Sequence, residues 1–130
     1  MKQVVEICRQ HQFRSDRIEQ VHEAIYAAFG DDHNGTTNNL ALIVSALLMG
    51  GRDLEKVITY TVMGGWNSDS TATTAGSIAG AMLGARRLPD KWISPLHDAL
   101  HGQVAGYHPI AVSECARRSV AIARRVLDGN

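Results

Sequence analysis

The sequence predicts an all-α protein: a compact helical bundle of about six to seven helices forming a single domain over residues 1–130. Composition comes first: 45% of residues are hydrophobic but only 5% aromatic, with Ala and Gly abundant. Such a mixture suits helices packed through small side chains better than sheets rich in Val, Tyr and Phe. Periodicity agrees, because apolar residues recur at three- and four-residue spacing. Length permits a core, since a fold of 130 residues buries roughly two thirds of the surface its unfolded chain exposes.

The elements follow in order. Residues 2–13 form a short helix with Val4, Val5, Ile7 and Cys8 inward, ended by the polar Arg14-Ser15-Asp16 junction. A capping-box-like Asp16-x-x-Glu19 then opens an amphipathic helix whose inner face is Ile18, Val21, Ile25 and Phe29, stopping at Gly30. Residues 31–37, DDHNGTT, are a loop. A core helix follows over 38–49, and Gly50-Gly51 ends it. Asp53 caps the next helix, which carries Leu54, Val57, Ile58, Thr61 and Val62 on one face up to Gly64-Gly65.

Another helix spans about 70–85 and closes on Arg86-Arg87, whose charges suit a helix C-terminus. Pro89 opens a short helix in Leu88-Pro89-Asp90-Lys91-Trp92. After a loop with Gly102, Gly106 and Pro109, a last helix covers 112–127 with Cys115, Val120, Ala121 and Val126 inward.

Several function classes are excluded. Lys plus Arg number 13 and Asp plus Glu number 13, so no overall field favours nucleic acid or an acidic membrane surface. Cys8 and Cys115 stand alone, a pattern of reduced thiols rather than of a disulfide framework or a zinc site. The N-terminus, MKQVVEICRQHQF, lacks the apolar run of a signal peptide. The longest apolar stretch, 40–49, is about half of the roughly 20 residues a membrane span needs. A cytoplasmic protein without a membrane partner is expected.

The chemistry concentrates in GGWNSDSTATTAGSIAGAMLG, residues 64–84. Gly76, Gly80 and Gly84 line one side of a helix and Ala72 continues the strip, which predicts a close helix crossing. Each mid-helix glycine costs about 0.5–1 kcal/mol relative to Ala. Ahead of them, Asn67, Ser68, Asp69, Ser70 and Thr71 gather side-chain oxygens at a helix N-terminus. Those oxygens suit a hard cation such as Mg²⁺, Ca²⁺ or Mn²⁺, while the simpler alternative makes Asp69 an N-cap. The partial positive charge of the helix start opposes a cation, so a metal site must recruit further carboxylates. Asp31, Asp32 and His33 read as ligands or as a solvated loop; His97, His101 and His108 read as surface histidines. Arg117, Arg118, Arg124 and Arg125 complement the last helix dipole, and Trp66 and Trp92 read as core or stacking residues.

Trp66-Asn67-Ser68-Asp69-Ser70-Thr71 with the following Gly76-Ser77-Ile78-Ala79-Gly80-Ala81 resembles the C-terminal metal-binding signature of the ADP-ribosylglycohydrolase family. The likeness runs through the helices before it and through Leu88-Pro89-x-x-Trp92, covering residues 38–92, and extends to the last helix. It implies an all-α hydrolase with a binuclear Mg²⁺ or Mn²⁺ site, cleaving the glycosidic bond between ADP-ribose and a protein side chain or small acceptor. By that resemblance Asp69 is a catalytic metal ligand, Ser70 and Asn67 are further ligands, and Trp66 and Ser68 touch substrate. Asn67 replaces the first aspartate of the signature, which removes one negative charge. The family's N-terminal Gly-Asp and Thr-Asp-Asp motifs have no counterpart, so the resemblance implies a partial domain, completed by an N-terminal half or by a second copy. Weak or absent activity alone is expected, and a helical ADP-ribose-binding or structural module is the alternative.

Overall fold

The computed structural model describes residues 1–30 and 32–129. Among them seven α-helices are connected by turns and one minimal sheet, confirming the all-α class. The chain divides into two compact units, Met1–Leu88 and the segment from Pro89 onward.

The first unit holds α1 (Lys2–Gln10), α2 (Ile18–Phe29), α3 (Thr36–Gly50), α4 (Leu54–Met63) and α5 (Ser68–Leu83). Its apolar side chains form two clusters on either side of α3. Val4, Ile7 and Cys8 of α1 meet Ile18, Val21 and Ile25 of α2 and Ala41, Leu42 and Met49 of α3. On the other side, Ile43 of α3 meets Leu54 and Val57 of α4 and Ala75 and Ala79 of α5. A helix buried from two sides needs apolar residues around most of its circumference, which is why residues 40–49 are apolar apart from Ser45, whose buried hydroxyl donates to the Leu42 carbonyl.

Helix ends follow local chemistry, with one departure. Asp53 caps α4, its carboxylate accepting from the Lys56 N–H at 3.1 Å. Gly30, Gly51 and Gly84 stop α2, α3 and α5 with positive φ. The expected capping box at α2 does not form. Asp16 is held by the Arg14 guanidinium through two bonds of 3.0 and 2.8 Å, a charge-assisted pair stronger than a bond to a neutral amide. Residues Ser15–Arg17 become a short 3-10 turn, and α2 starts from Arg17 without a side-chain cap. Buried Asn38 instead ties α3 to the end of α2, donating to the carbonyls of Phe29 and Gly30 at 3.0 and 3.3 Å.

The glycine strip of α5 is not where that helix packs. Its buried residues are Thr71, Ala75 and Ala79, one position away from the strip. A methyl group added at Gly76 or Gly80 would meet its nearest neighbour at 3.6 or 3.9 Å, ordinary contact distances. The close approaches occur elsewhere. A Cβ on Gly50 would lie 2.8 Å from the backbone nitrogen of Val57, and one on Gly64 would lie 2.8 Å from Leu42 Cδ2.

The second unit contains α6 (Asp90–Ile93), a two-stranded antiparallel sheet of β1 (Ala99–Leu100) and β2 (Ile110–Ala111), and α7 (Val112–Leu127). Asp98 substitutes for a local cap on α7: its carboxylate accepts from the Ser113 N–H at 2.8 Å and from the Ser113 hydroxyl at 2.5 Å. Those two bonds hold the Asp98 carboxyl below its ordinary range. Trp92 and the expected inner positions Val120, Ala121 and Val126 are exposed, and no residue of α7 is buried. Among the described residues no helix is long and apolar enough to cross a membrane.

Candidate functional site at the start of the fifth helix

The loop from α4 into α5 is fixed by α2. The Tyr26 hydroxyl donates to the Gly64 carbonyl at 2.8 Å, and the Tyr26 ring meets the Trp66 ring edge-on at 5.1 Å. Trp66 has φ +53°, a left-handed conformation unusual for a bulky residue, and packs half-buried against the first core cluster. Its surroundings are those of a core residue that clamps the turn.

Asn67 is the N-cap position of α5, and its backbone N–H donates to Asn39 Oδ1 at 3.3 Å. Asn39 in turn donates to the carbonyls of His33 and Gly35 at 2.9 and 3.1 Å. One amide therefore joins the first turns of α3 and α5. Between these turns lies a cavity of about 280 Å³ lined by Asn34, Thr36, Asn39, Leu40, Ile43, Asn67, Ser70, Thr71 and Thr74. The α5 members are spaced i, i+3, i+4 and i+7, which places them on one helix face.

Asp69 is outside this lining. It is the second residue of α5, solvent-exposed, and two positions from Asn67, a step of about 200° around a helix. It is therefore not the capping residue, although a carboxylate in the first turn is favoured by the helix dipole. Ser68 and Trp66 also stand outside the cavity, so of the five residues that the resemblance names the structure brings together only Asn67 and Ser70, with Thr71 beside them. The hydroxyls of Thr71, Thr73 and Thr74 donate to the carbonyls of Ser68, Asp69 and Ser70 at 3.3, 2.7 and 2.9 Å. Their lone pairs remain available as acceptors.

The other candidates are dispersed. Asp32 accepts the Asn34 N–H at 3.2 Å, a bond within its own turn, and Asp31 lies outside the described residues. Arg117 and Arg118 are bound by Glu114, whose carboxyl they hold down at about 2. Among the described residues no three of His, Cys, Asp and Glu are grouped as metal ligands. Asn39 and Tyr26 were not legible as site residues; the only hint was a polar Asn38-Asn39 pair where an apolar helix begins.

The chain is thus an all-helical protein with an oxygen-rich helix start beside a cavity. The sequence model of the ADP-ribosylglycohydrolase family matches residues 1–126. The chain belongs to the ADP-ribosylglycohydrolase family. That match adds α1 and α2 to residues 38–92 and the last helix, of which it takes in nearly all. No curated protein and no solved structure matches the chain.

Proposed function

We propose that this chain is a hydrolase domain acting on the glycosidic bond between ADP-ribose and a protein or small-molecule acceptor, with the start of α5 as its share of the site. The observation that carries the proposal is Asn67-Ser68-Asp69-Ser70 standing at a helix N-terminus beside a cavity that Asn67 and Ser70 line in a chain whose family match covers 1–126.

The residues present fit part of a metal centre. Mg²⁺ is commonly held through one or two carboxylates, with water and substrate oxygens filling its other positions. Asp69 offers one carboxylate, and Asn67 and Ser70 offer neutral oxygens. A binuclear Mg²⁺ or Mn²⁺ centre needs more anionic ligands than this turn contains, and the α5 dipole raises that requirement. An N-terminal half or a second copy of the chain would supply them at the exposed face of Asp69. A divalent cation bound there would polarise substrate oxygens and lower the pKa of water. The chain's own part is to orient: Asn67 and Ser70 present hydrogen-bonding groups to the cavity, while Asn39 and Tyr26 hold the turn that carries them. Unpaired Cys8 and Cys115 support a reducing, cytoplasmic setting.

A second reading has its own support. The cavity lining holds no ionisable side chain, which suits an ADP-ribose-binding module without hydrolysis. Release of ADP-ribose from modified arginine and serine peptides in Mg²⁺ tests the first reading. Asp69→Ala should abolish release, and equal rates for the two proteins would remove Asp69 from the chemistry. Calorimetric heat with ADP-ribose that ignores Mg²⁺ would establish the binding module instead.

A further inference from the structure

The β1–β2 pairing aligns Ala99 with Ala111 and Leu100 with Ile110. Continuing that register sets His101 beside the His108-Pro109 end of the loop, and the two imidazole rings lie 5.4 Å apart, centroid to centroid, inclined at 70°. His108 Nδ1 is 2.6 Å from the Gly102 carbonyl oxygen. A carbonyl only accepts, so Nδ1 carries the hydrogen and, in the neutral ring, Nε2 carries the lone pair. A ring nitrogen donating to a backbone carbonyl while its partner nitrogen stays free is the arrangement of metal-ligating histidines.

The ring separation also suits one shared ion. With metal–nitrogen bonds of about 2.0–2.1 Å and a tetrahedral angle, two imidazole centroids lie about 5 Å apart. Edge-to-face ring packing explains the distance equally well, but it does not require the Nδ1–carbonyl bond. From these observations we infer that His101 and His108 form a two-histidine site for a borderline transition-metal dication of the Zn²⁺ class. Imidazole nitrogen prefers such ions to Mg²⁺.

Among the described residues no third His, Cys, Asp or Glu joins the pair, so water completes the coordination and the ion is held less tightly than in a closed four-ligand site. Its role is a clip. By joining the two ends of the loop between β1 and β2 it restricts the residues between them, including Val104 and Tyr107, which line a small apolar cavity with Cys115 and Arg118.

The test titrates the full chain with Zn²⁺ and follows imidazole resonances and amide exchange. One saturable site is expected, with the His101 and His108 signals moving together, slower exchange across 102–107, and no response to Mg²⁺ at the same concentration. His101→Gln and His108→Gln should each lose that site, whereas His97→Gln should keep it. Both rings are exposed, so the variants should fold, as circular dichroism verifies. No saturable Zn²⁺ uptake, or uptake undiminished in the doubly substituted chain, overturns the inference.

Discussion

Asn39 Oδ1 accepts the backbone N–H of Asn67 at 3.3 Å, joining residues 28 apart in sequence. This bond ties the α3 and α5 starts together beside the cavity that both residues line. Asn39→Ala removes it together with both bonds that Asn39 donates. Net losses of about 0.5–1.5 kcal/mol per bond should lower the urea midpoint clearly. Asn39→Asp keeps the acceptor for Asn67 and loses only the donors, so its midpoint should fall between those of wild type and Asn39→Ala. Identical midpoints for Asn39→Ala and wild type would show the bridge to be energetically idle.

Asn67→Asp restores a second carboxylate in the turn that carries Asp69. Two acids attract a hard dication more strongly than an acid and an amide, so Mg²⁺ affinity measured by calorimetry should rise several-fold. Unchanged affinity would argue that the first turn of α5 does not face the metal.

Glycines in this chain are not equivalent, and alanine substitution separates them. Gly80→Ala places a methyl where the nearest atom, Leu88 Cδ2, is 3.9 Å away, and should stabilise the first unit by about 0.5–1 kcal/mol through backbone entropy. Gly50→Ala places one 2.8 Å from the Val57 backbone nitrogen, which cannot withdraw as a side-chain tip can, and should cost about 1–3 kcal/mol. Denaturant midpoints moving in the same direction for both variants would contradict this contrast.

His22 is buried in α2, and its Nε2 has no hydrogen-bond partner. Burial alone pushes its pKa down to about 4 from the ordinary 6.5. The unfolded chain therefore binds a proton that the folded chain refuses between those two values. This contribution to stability is fully present above the unfolded value, falls as pH drops toward about 4, and is exhausted below it. The loss amounts to roughly 3 kcal/mol at most. His22→Leu should flatten the stability profile across this window, and a profile unchanged from wild type would assign the acid sensitivity to other groups.

The sequence by itself determined which helices form, because caps and periodicity act within a few residues, but it misplaced several ends: the helix read over 2–13 stops at Gln10, α3 begins at Thr36 inside the stretch read as a loop, and α5 runs Ser68–Leu83 rather than 70–85. The last helix was legible over 112–127 and the structure forms it as Val112–Leu127; Asp53 was legible as a cap and is one. Asp16 shows the limit even of local reading, since a neighbouring guanidinium outcompeted the helix for its carboxylate. The tertiary structure decided which face of each helix is covered. On α5 the choice fell on Thr71, Ala75 and Ala79 rather than on the glycines beside them, because burial depends on the direction from which α3 and α4 arrive. For the site, the sequence marked the Asn67–Ser70 turn, but only folding separated Asn67 and Ser70, which face the cavity, from Asp69, which faces solvent. Consecutive residues on a helix point in different directions, and Asn39 reaches Asn67 only once two helices distant in sequence have packed into one core.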